Sequence, residues 1–308
     1  MVMSSATLAN KKKRKYSPLN RNWQFYALLA PFFILFFTFT VLPVLTSMVL
    51  SFTDFNMLQW PNFVGWSNYL RLFLRDEVFI IALRNTIIFA VITGPLGYAL
   101  SFIVAWVINE LNPKLRALMT FFFYAPSISG GAFVIWAWFF SGDRHGWVNA
   151  QMIRLGLWVD PVLFWQDTSW ILPLLILVQL WMSLGIGFLS FVAGLQTVDR
   201  ALYEAAAVDG IKNRWQELWF ITLPSMRPQL MFGAVMTITG SFAVGGLSVA
   251  LAGNPSVRYA GHFVINHLQD FGSIRFEMGY ASTIAVLLFL IMVGMNKIVQ
   301  RLLRKVGT

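Results

Sequence analysis

The stretch EAAAVDGIKNRWQELWFITLP, residues 204–224, lies between two apolar runs at about 170–196 and 229–252. It contains acidic residues, three alanines, a glycine and a proline. Neither flanking run contains a charged residue, and each is long enough to cross a bilayer as one helix. A compact polar element between two such runs indicates a loop on one face of a membrane.

The composition of the whole chain supports a membrane protein. Of its 308 residues, 57% are hydrophobic and only 12% are charged, which is more apolar than a soluble domain. The chain has no cysteine, so disulfides, thiolate catalysis and cysteine metal sites are excluded. Uncharged runs long enough to span occur at about 23–52, 85–108, 117–141, 170–196, 229–252 and 278–296. The first run is too long for the apolar region of a signal peptide.

The basic residues predict the orientation. With the amino terminus in the cytoplasm, 16 of the 23 lysines and arginines fall on that side and seven on the outer side, as the positive-inside rule requires. Both termini and the stretch 204–224 are therefore expected to be cytoplasmic. The run KKKRK at 11–15 is then interpreted as a topology anchor beside anionic lipid, not as a nucleic-acid patch.

The spans lack the residues that several function classes need. All 13 acidic residues and all three histidines lie outside the six runs, so no proton relay is visible within them. No phosphate-binding loop is present, so the chain is not itself a P-loop ATPase. The run YAPSISGGA at 124–132 lacks a hydrolase spacing and is interpreted as a helix loosened by Pro126, Gly130 and Gly131. The chain is not expected to be an enzyme, and sodium coupling through backbone oxygens stays open.

Local signals divide the stretch 204–224 into two short helices. Thr197 or Asp199 is expected to cap a first helix that begins near Arg200 and ends at Gly210. Its small alanines leave one surface flat, and its acidic residues offer charge. These features fit a protein socket better than a helix lying on anionic lipid, which is the alternative.

The second helix is expected to begin after Asn213, which can cap it. Trp215, Leu218 and Trp219 would form one apolar face packed on the membrane domain, at positions i, i+3 and i+4. Pro224 then stops or bends the chain before the next span.

The pattern Glu204-Ala205-Ala206, then Gly210, then Ile221-Thr222-Leu223-Pro224 resembles the EAA coupling signature of permease subunits of bacterial ATP-binding-cassette importers. The usual spacing puts nine residues between the glycine and the isoleucine, whereas this chain has ten, residues 211–220. The extra residue would rotate or extend the second helix. Segments 28–56, 63–73 and 82–89 are similar to the first of the two permeases in carbohydrate importers of the maltose and glycerol-phosphate type.

The resemblance implies an all-α, polytopic protein with six transmembrane helices and the type I ABC importer permease fold. The implied organisation is a basic cytoplasmic tail at 1–22, a first helix and outer loop at 23–81, a permease core at 82–300 and a basic tail at 301–308. The coupling loop would occupy about 197–228. The implied location is the bacterial cytoplasmic membrane.

The resemblance also implies the partners and the coupling residues. The partners are a second homologous permease, two copies of a cytoplasmic ATPase, an extracytoplasmic solute-binding protein and membrane lipid, with no nucleic acid. This chain would hold no cofactor, because ATP and magnesium bind the ATPase. Glu204 would pair with a basic group of the ATPase, and Gly210 would make the turn. The residues implied in coupling are Glu204, Ala205, Ala206, Asp209, Gly210, Leu223 and Pro224.

A neutral sugar would be recognised by hydroxyl, amide and aromatic groups on spans three to five. The candidates for the substrate pathway are Tyr124, Ser127, Ser129, Gln179, Trp181, Ser183, Thr237, Thr239 and Ser241. The sugar itself, its length and its charge are not specified by the sequence, and a polyol or glycerol phosphate stays open. The alternative function is an autonomous secondary transporter or channel.

Overall fold

The computed structural model describes residues 23–303. The predicted tail at 1–22, with its KKKRK run, lies outside these residues, as do residues 304–308 of the predicted tail at 301–308. Within 23–303 the chain is helical and forms no β-sheet; an isolated bridge joins Thr53 and Phe63. This agrees with the predicted all-α class.

The described residues fall into two compact units, 23–49 and 50–303. In the first unit the described residues belong to span one, Trp23–Leu50, a helix of 28 residues with the composition of a membrane span. Its middle widens into a π turn at Phe37–Val41. The helix carries no charged side chain, so its whole circumference suits an apolar surrounding.

The second unit contains three further candidate spans without a sharp bend, of which span four is interrupted between Met182 and Ile186, and two sharply bent ones. Span two is Glu77–Asn109, span four is Thr168–Thr197 and span six is Met278–Leu303. Span three is Pro113–Ile128 followed by Ala132–Phe139, with a bend of 83°, and span five is Arg227–Phe242 followed by Gly246–Ala252, with a bend of 44°. By length and composition, the six predicted runs therefore correspond to four long helices and two bent pairs.

The connecting segments also contain short helices. The segment between spans one and two contains the helix Ser67–Leu74. The segment between spans three and four contains Trp147–Arg154, and the segment between spans five and six contains Val264–Gln269. Between spans four and five lie Arg200–Val208, Arg214–Glu217, a π turn at Leu218–Thr222 and Leu223–Ser225. Predicted outer and cytoplasmic segments thus both carry ordered helical structure.

The bend in span three occurs where the sequence predicted a loosened helix. The first half ends at Ile128, and Gly130 adopts φ +63°, a left-handed conformation that glycine reaches at little cost. Pro126 lies in the last turn before the break and lacks the N–H that would continue the helical ladder. The prediction for 124–132 is confirmed.

Side-chain packing holds spans two, four and five together near the 204–224 stretch. Buried Phe102 of span two contacts Phe191 of span four edge-to-face, with ring centroids 5.6 Å apart. Leu218 and Leu230 complete the same apolar cluster from the loop and from span five. The loop is therefore anchored in the core at one end of the bundle.

At the opposite end, the segment after span one docks on the start of span six. The Gly279 N–H donates to the Phe55 carbonyl at 2.8 Å, and the Thr283 hydroxyl donates to the Ser51 carbonyl at 3.0 Å. Asn68 Nδ2 donates to the carbonyls of Ser51 and Thr53. A Cβ on Gly279 would overlap the Thr53 carbonyl oxygen, so the close approach of these two backbones requires glycine.

We expect Gly279→Ala to destabilise the fold by about 2 kcal/mol, because one backbone must shift to admit the methyl group. Gly294→Ala is the matched control, since it lies on the same span and a Cβ there meets nothing within 4 Å. Thermal unfolding of the two purified variants in detergent gives the comparison. Equal melting temperatures would show that the contact at Thr53 does not constrain the fold.

Candidate functional site

The first loop helix, Arg200–Val208, presents part of the predicted coupling face to its surroundings. Asp199 caps it by accepting from the Ala201 N–H at 3.0 Å, so Asp199 and not Thr197 is the cap. Glu204 and Ala205 are exposed. Ala206 is buried, with 8% exposure, and faces the bundle. A partner protein can therefore contact Glu204 and Ala205 but not Ala206, so the contact surface is smaller than the three-residue motif predicted.

The helix ends in a turn that glycine makes possible. Gly210 adopts φ +96°, the Ile211 N–H donates to the Ala206 carbonyl at 2.9 Å, and the Gly210 N–H donates to the Ala207 carbonyl at 3.4 Å. These two bonds define a Schellman cap, as the sequence predicted for a helix ending at this glycine. A Cβ on Gly210 would meet nothing within 4 Å, so the turn is open on its outer side.

The second loop helix begins as predicted, but its faces differ from the prediction. The Asn213 side chain accepts from the Gln216 N–H at 2.9 Å. Leu218 is buried, whereas Trp215 and Trp219 are 70% and 64% exposed, so the expected single buried face of these three residues is wrong. The π turn at Leu218–Thr222 changes the 3.6-residue period from Leu218 onward and so affects the face of Trp219, whereas Trp215 precedes it.

The end of the motif anchors the loop. Ile221 and Thr222 are buried, and Leu223 packs on the apolar cluster around Phe191. The helix passes through Pro224 and ends at Ser225, and span five begins at Arg227. Pro224 thus lies one residue before the end of the helix, in agreement with the predicted stop or bend.

A small polar pocket lies among spans two, four and five. Its volume is about 190 Å³. Four of the predicted pathway residues line it: Gln179, Ser183, Thr237 and Ser241. Thr93 of span two also lines it and was missed, because a threonine inside a long apolar helix carries no distinguishing sequence signal. The eleven lining residues include no ionisable side chain, so the pocket suits a neutral polar solute.

The pocket hydroxyls already donate to their own helices. Ser183 donates to the Leu180 carbonyl at 2.7 Å, Thr237 to Gly233 at 2.9 Å and Ser241 to Thr237 at 2.9 Å. Each hydroxyl keeps acceptor capacity toward the pocket. The Gln179 side chain is half-buried and makes no hydrogen bond to another described residue, so its amide is the polar group most available to a ligand.

The other five predicted pathway residues do not line this pocket. Trp181 packs edge-to-face on Trp136, with centroids 5.6 Å apart. Tyr124 packs on the cluster around Phe191. Ser127 packs against Gly185: a Cβ added to Gly185 would lie 3.7 Å from the Ser127 Cβ. Ser129 and Thr239 are exposed. Sequence period alone could not separate these positions, because the breaks in spans three and four change which residues share a face.

A buried ionisable cluster at the other end of the bundle was also missed. Asp76 caps span two and accepts from the Phe79 N–H at 2.9 Å, from His267 Nε2 at 2.9 Å and from the Tyr280 hydroxyl at 2.6 Å. Burial acts to raise the Asp76 pKa, but the bonds from His267, Tyr280 and Phe79 outweigh it and hold the pKa well below its usual value. His267 and Tyr280 lie 191 and 204 positions after Asp76 in the sequence, so no local pattern joins them to it.

His262 lies beside this cluster. Its ring centroid is 5.6 Å from that of His267, and its Nε2 has no hydrogen-bond partner within the described residues. Burial, reinforced by His267, lowers the pKa of His262 to about 4, although Asp270 and Asp76 act in the opposite direction. His262 is therefore neutral in the fold at neutral pH.

Comparison with known proteins identifies the family. The family model described as binding-protein-dependent transport system inner membrane component matches residues 97–307. The chain belongs to this family of permeases. The permease is a multi-pass inner-membrane protein and a transport subunit, not itself a catalytic one, as the sequence predicted.

Relatives extend over nearly the whole permease. It is 31% identical over 291 residues to the probable ABC transporter permease protein YesP of Bacillus subtilis (strain 168), covering 93% of this chain and 92% of the relative. It is 32% identical over 241 residues to the lactose transport system permease protein LacF of Rhizobium radiobacter, covering 77% of each.

Solved structures support the fold. A bacterial ABC transporter involved in the import of the acidic polysaccharide alginate matches with TM-score 0.76 and 24% identity, over 94% of this chain and 98% of the other. A second structure matches with TM-score 0.74 and 25% identity, over 96% and 100%. That one is a bacterial alginate ABC transporter in complex with an alginate pentasaccharide-bound periplasmic protein.

We expect the permease to lose stability as pH falls from about 6.5 toward 4, because unfolded His262 binds a proton in this range and folded His262 does not. His262→Gln should flatten the melting temperature across this range. Asp76, whose pKa is lowered in the fold, contributes stability above about pH 4 that is lost only at lower pH, so its effect is separate. His145→Gln, at a side chain that is 91% exposed, is the control and should leave the profile unchanged. If the melting temperature of His262→Gln depended on pH as that of the wild type does, the assignment of this pH dependence to His262 would be wrong.

Proposed function

We propose that this permease and a second, homologous permease form the path of an ATP-driven carbohydrate importer, and that a separate cytoplasmic ATPase grips the loop at 197–228. The observation that carries the proposal is the exposed first loop helix with its open glycine turn. Glu204, Ala205 and Asp209 are exposed on or just after it, and Gly210 leaves space for a partner surface. This exposed surface would be the site at which the ATPase docks.

The residues of the motif then have distinct roles. Glu204 and Asp209 would meet basic groups of the ATPase, and Ala205 and Gly210 would allow close approach. Ala206, Leu223 and Pro224 are turned toward the permease or half-buried, so they would hold the shape of the loop instead of touching the ATPase. ATP and magnesium would bind the ATPase, and the difference in docking contacts between its nucleotide states would drive the permease from one state to the other.

The pocket and the relatives favour a carbohydrate. Several relatives are named for lactose or arabinooligosaccharide transport. The pocket offers one amide and four hydroxyls without a charge, which suits the hydroxyl groups of a neutral sugar. At about 190 Å³ it is smaller than typical small-molecule sites of roughly 300–1,000 Å³, so a second permease would supply the other side of the path. An extracytoplasmic binding protein would deliver the sugar.

The test is purification of the tagged chain from its own membranes in mild detergent, with identification of co-purifying proteins and an assay of Mg-ATP hydrolysis. Recovery of an ATPase and a second permease supports the importer. Reconstituted liposomes are then supplied with a panel of labelled mono-, di- and oligosaccharides. A chain that purifies alone and moves a sugar without ATP would instead establish the alternative, a secondary transporter or channel.

We expect Gly210→Asp to insert normally but to lower ATP-driven uptake at least tenfold, because a charged side chain would occupy the open side of the turn. Gly156→Asp is the matched control. Gly156 also has positive φ, +71°, and an equally open Cβ position, but it lies in the predicted outer segment. Turn strain affects both variants, so only loss of docking distinguishes them. Equal uptake by the two would exclude the docking role of Gly210.

We expect Gln179→Leu to raise the sugar concentration for half-maximal uptake about tenfold, since one hydrogen bond to a ligand is worth about 1.4 kcal/mol. Gln196→Leu is the control: Gln196 is also on span four, but its Nε2 donates to the Val192 carbonyl and it lies outside the pocket. Initial uptake rates over a range of sugar concentrations give both values. An unchanged value for Gln179→Leu would remove this residue from the path.

A further inference from the structure

Arg214 joins the loop to a span that is distant in sequence. Its Nη2 lies 2.5 Å from Glu110 Oε2, and its Nη1 lies 3.1 Å from Glu217 Oε2. Glu110 directly follows the last residue of span two, and Arg214 is the first residue of the second loop helix. One planar guanidinium thus holds two carboxylates in a fork, a geometry that lysine does not reproduce.

An aromatic contact lies beside this ion pair. The rings of Trp106 and Trp215 have centroids 5.3 Å apart at an interplanar angle of 49°. Trp106 is four residues before Glu110, so both project from the same side of the end of span two. Trp215 follows Arg214 directly. The end of span two and the start of the loop helix are therefore joined by two independent contacts.

The dipole of its own helix favours neither of these two charges. Glu110 lies at the carboxyl end of span two, where the helix dipole disfavours a negative charge, and Arg214 lies at the amino end of its helix, where a positive charge is disfavoured. Pairing across the gap offsets both effects. Arg214 also pairs with Glu217 of its own helix at i+3, whereas its pair with Glu110 joins the two elements.

The connection continues to the first loop helix. The Tyr203 hydroxyl, on that helix, lies 2.8 Å from the hydroxyl of buried Thr222, and Thr222 also donates to the Glu217 carbonyl at 3.3 Å. Glu217 is the second partner of Arg214. Two hydrogen bonds and two ion pairs, Glu217–Arg214 and Arg214–Glu110, therefore connect the helix that carries Glu204 to the end of span two.

We propose that the Arg214–Glu110 pair and the Trp215–Trp106 contact form a clamp that makes span two move with the coupling loop. The inference rests on the proposed function, since it assigns the way in which loop motion reaches the path. Spans four and five are joined to the loop by the chain itself, but span two is not. Span two contributes Thr93 to the polar pocket. The clamp therefore makes the side of the pocket formed by span two move together with the loop and with spans four and five. Arg214 and Glu110 are positioning residues and do not touch the solute.

The test uses charge exchange in the full complex, reconstituted with its ATPase in nanodiscs. Glu110→Arg and Arg214→Glu each place like charges together, and the double variant restores an opposite pair in reverse order. Glu110→Gln is a milder variant should a reversal reduce expression. Lys114→Glu is the control for charge reversal, because Lys114 is exposed near the same end of the bundle and forms no ion pair within residues 23–303.

The readout does not need the sugar. Because the natural chain has no cysteine, Thr93→Cys and Gln179→Cys each give a unique label site in this chain, one on span two and one on span four. Labelling by a small methanethiosulfonate reagent is timed without nucleotide and after trapping with Mg-ATP and vanadate. For each cysteine, the ratio of the labelling rate after trapping to the labelling rate without nucleotide measures how far that wall of the pocket responds to the ATPase.

We expect the nucleotide response at Thr93→Cys to fall at least about fivefold in either charge-reversed variant and to recover in the double variant, as for a coupled charge pair. The response at Gln179→Cys should persist, since the chain itself joins span four to the loop, and the ATPase should stay bound. A variant with merely damaged structure would lose both responses.

Two results would overturn the clamp. One is an unchanged Thr93→Cys response in the single variants, and the other is failure of the double variant to recover it while the ATPase stays bound. If the wild-type permease binds no ATPase, the proposed function fails as well, so the two failures are distinguishable.

Discussion

In a hydrocarbon layer, each backbone N–H and C=O must find its partner within the protein, and this constraint shapes the permease. It accounts for helices throughout the described residues. It also limits where a helix can break. The breaks in spans three and five occur at glycines, and the hydroxyls of the polar pocket bond to carbonyls of their own helices. Polar chemistry is thus admitted only where the backbone remains satisfied.

The cytoplasmic loop lies outside the hydrocarbon layer, and its backbone turns sharply between two helices. Gly210 makes that turn, Asp199 and Asn213 begin the helices, and Leu218, Ile221 and Leu223 fix the loop in the apolar core. The same stretch is therefore firmly held on one side and open on the other. This division suits an element that receives force from a partner and transmits it to the bundle.

The sequence was sufficient for features that depend on composition or on one local signal. Six apolar runs predicted the spans, and capping residues predicted both loop helices. It failed where the helical period changes or where distant residues meet. Within the π turn Trp219 is exposed in place of the expected buried face. Thr93, the Asp76 cluster and the Arg214–Glu110 pair each depend on tertiary contacts between separate spans, which no spacing in one chain encodes.

The break in span three has a consequence for the assembly of this protein. A Cβ at Gly130 or Gly131 would meet nothing within 4 Å, and Ser129 is exposed beside them, so interrupted backbone lies uncovered where the chain bends by 83°. Lipid cannot solvate such a segment. In the proposed importer a second permease would cover this segment, and a copy without that partner would carry an uncovered polar break in its third span.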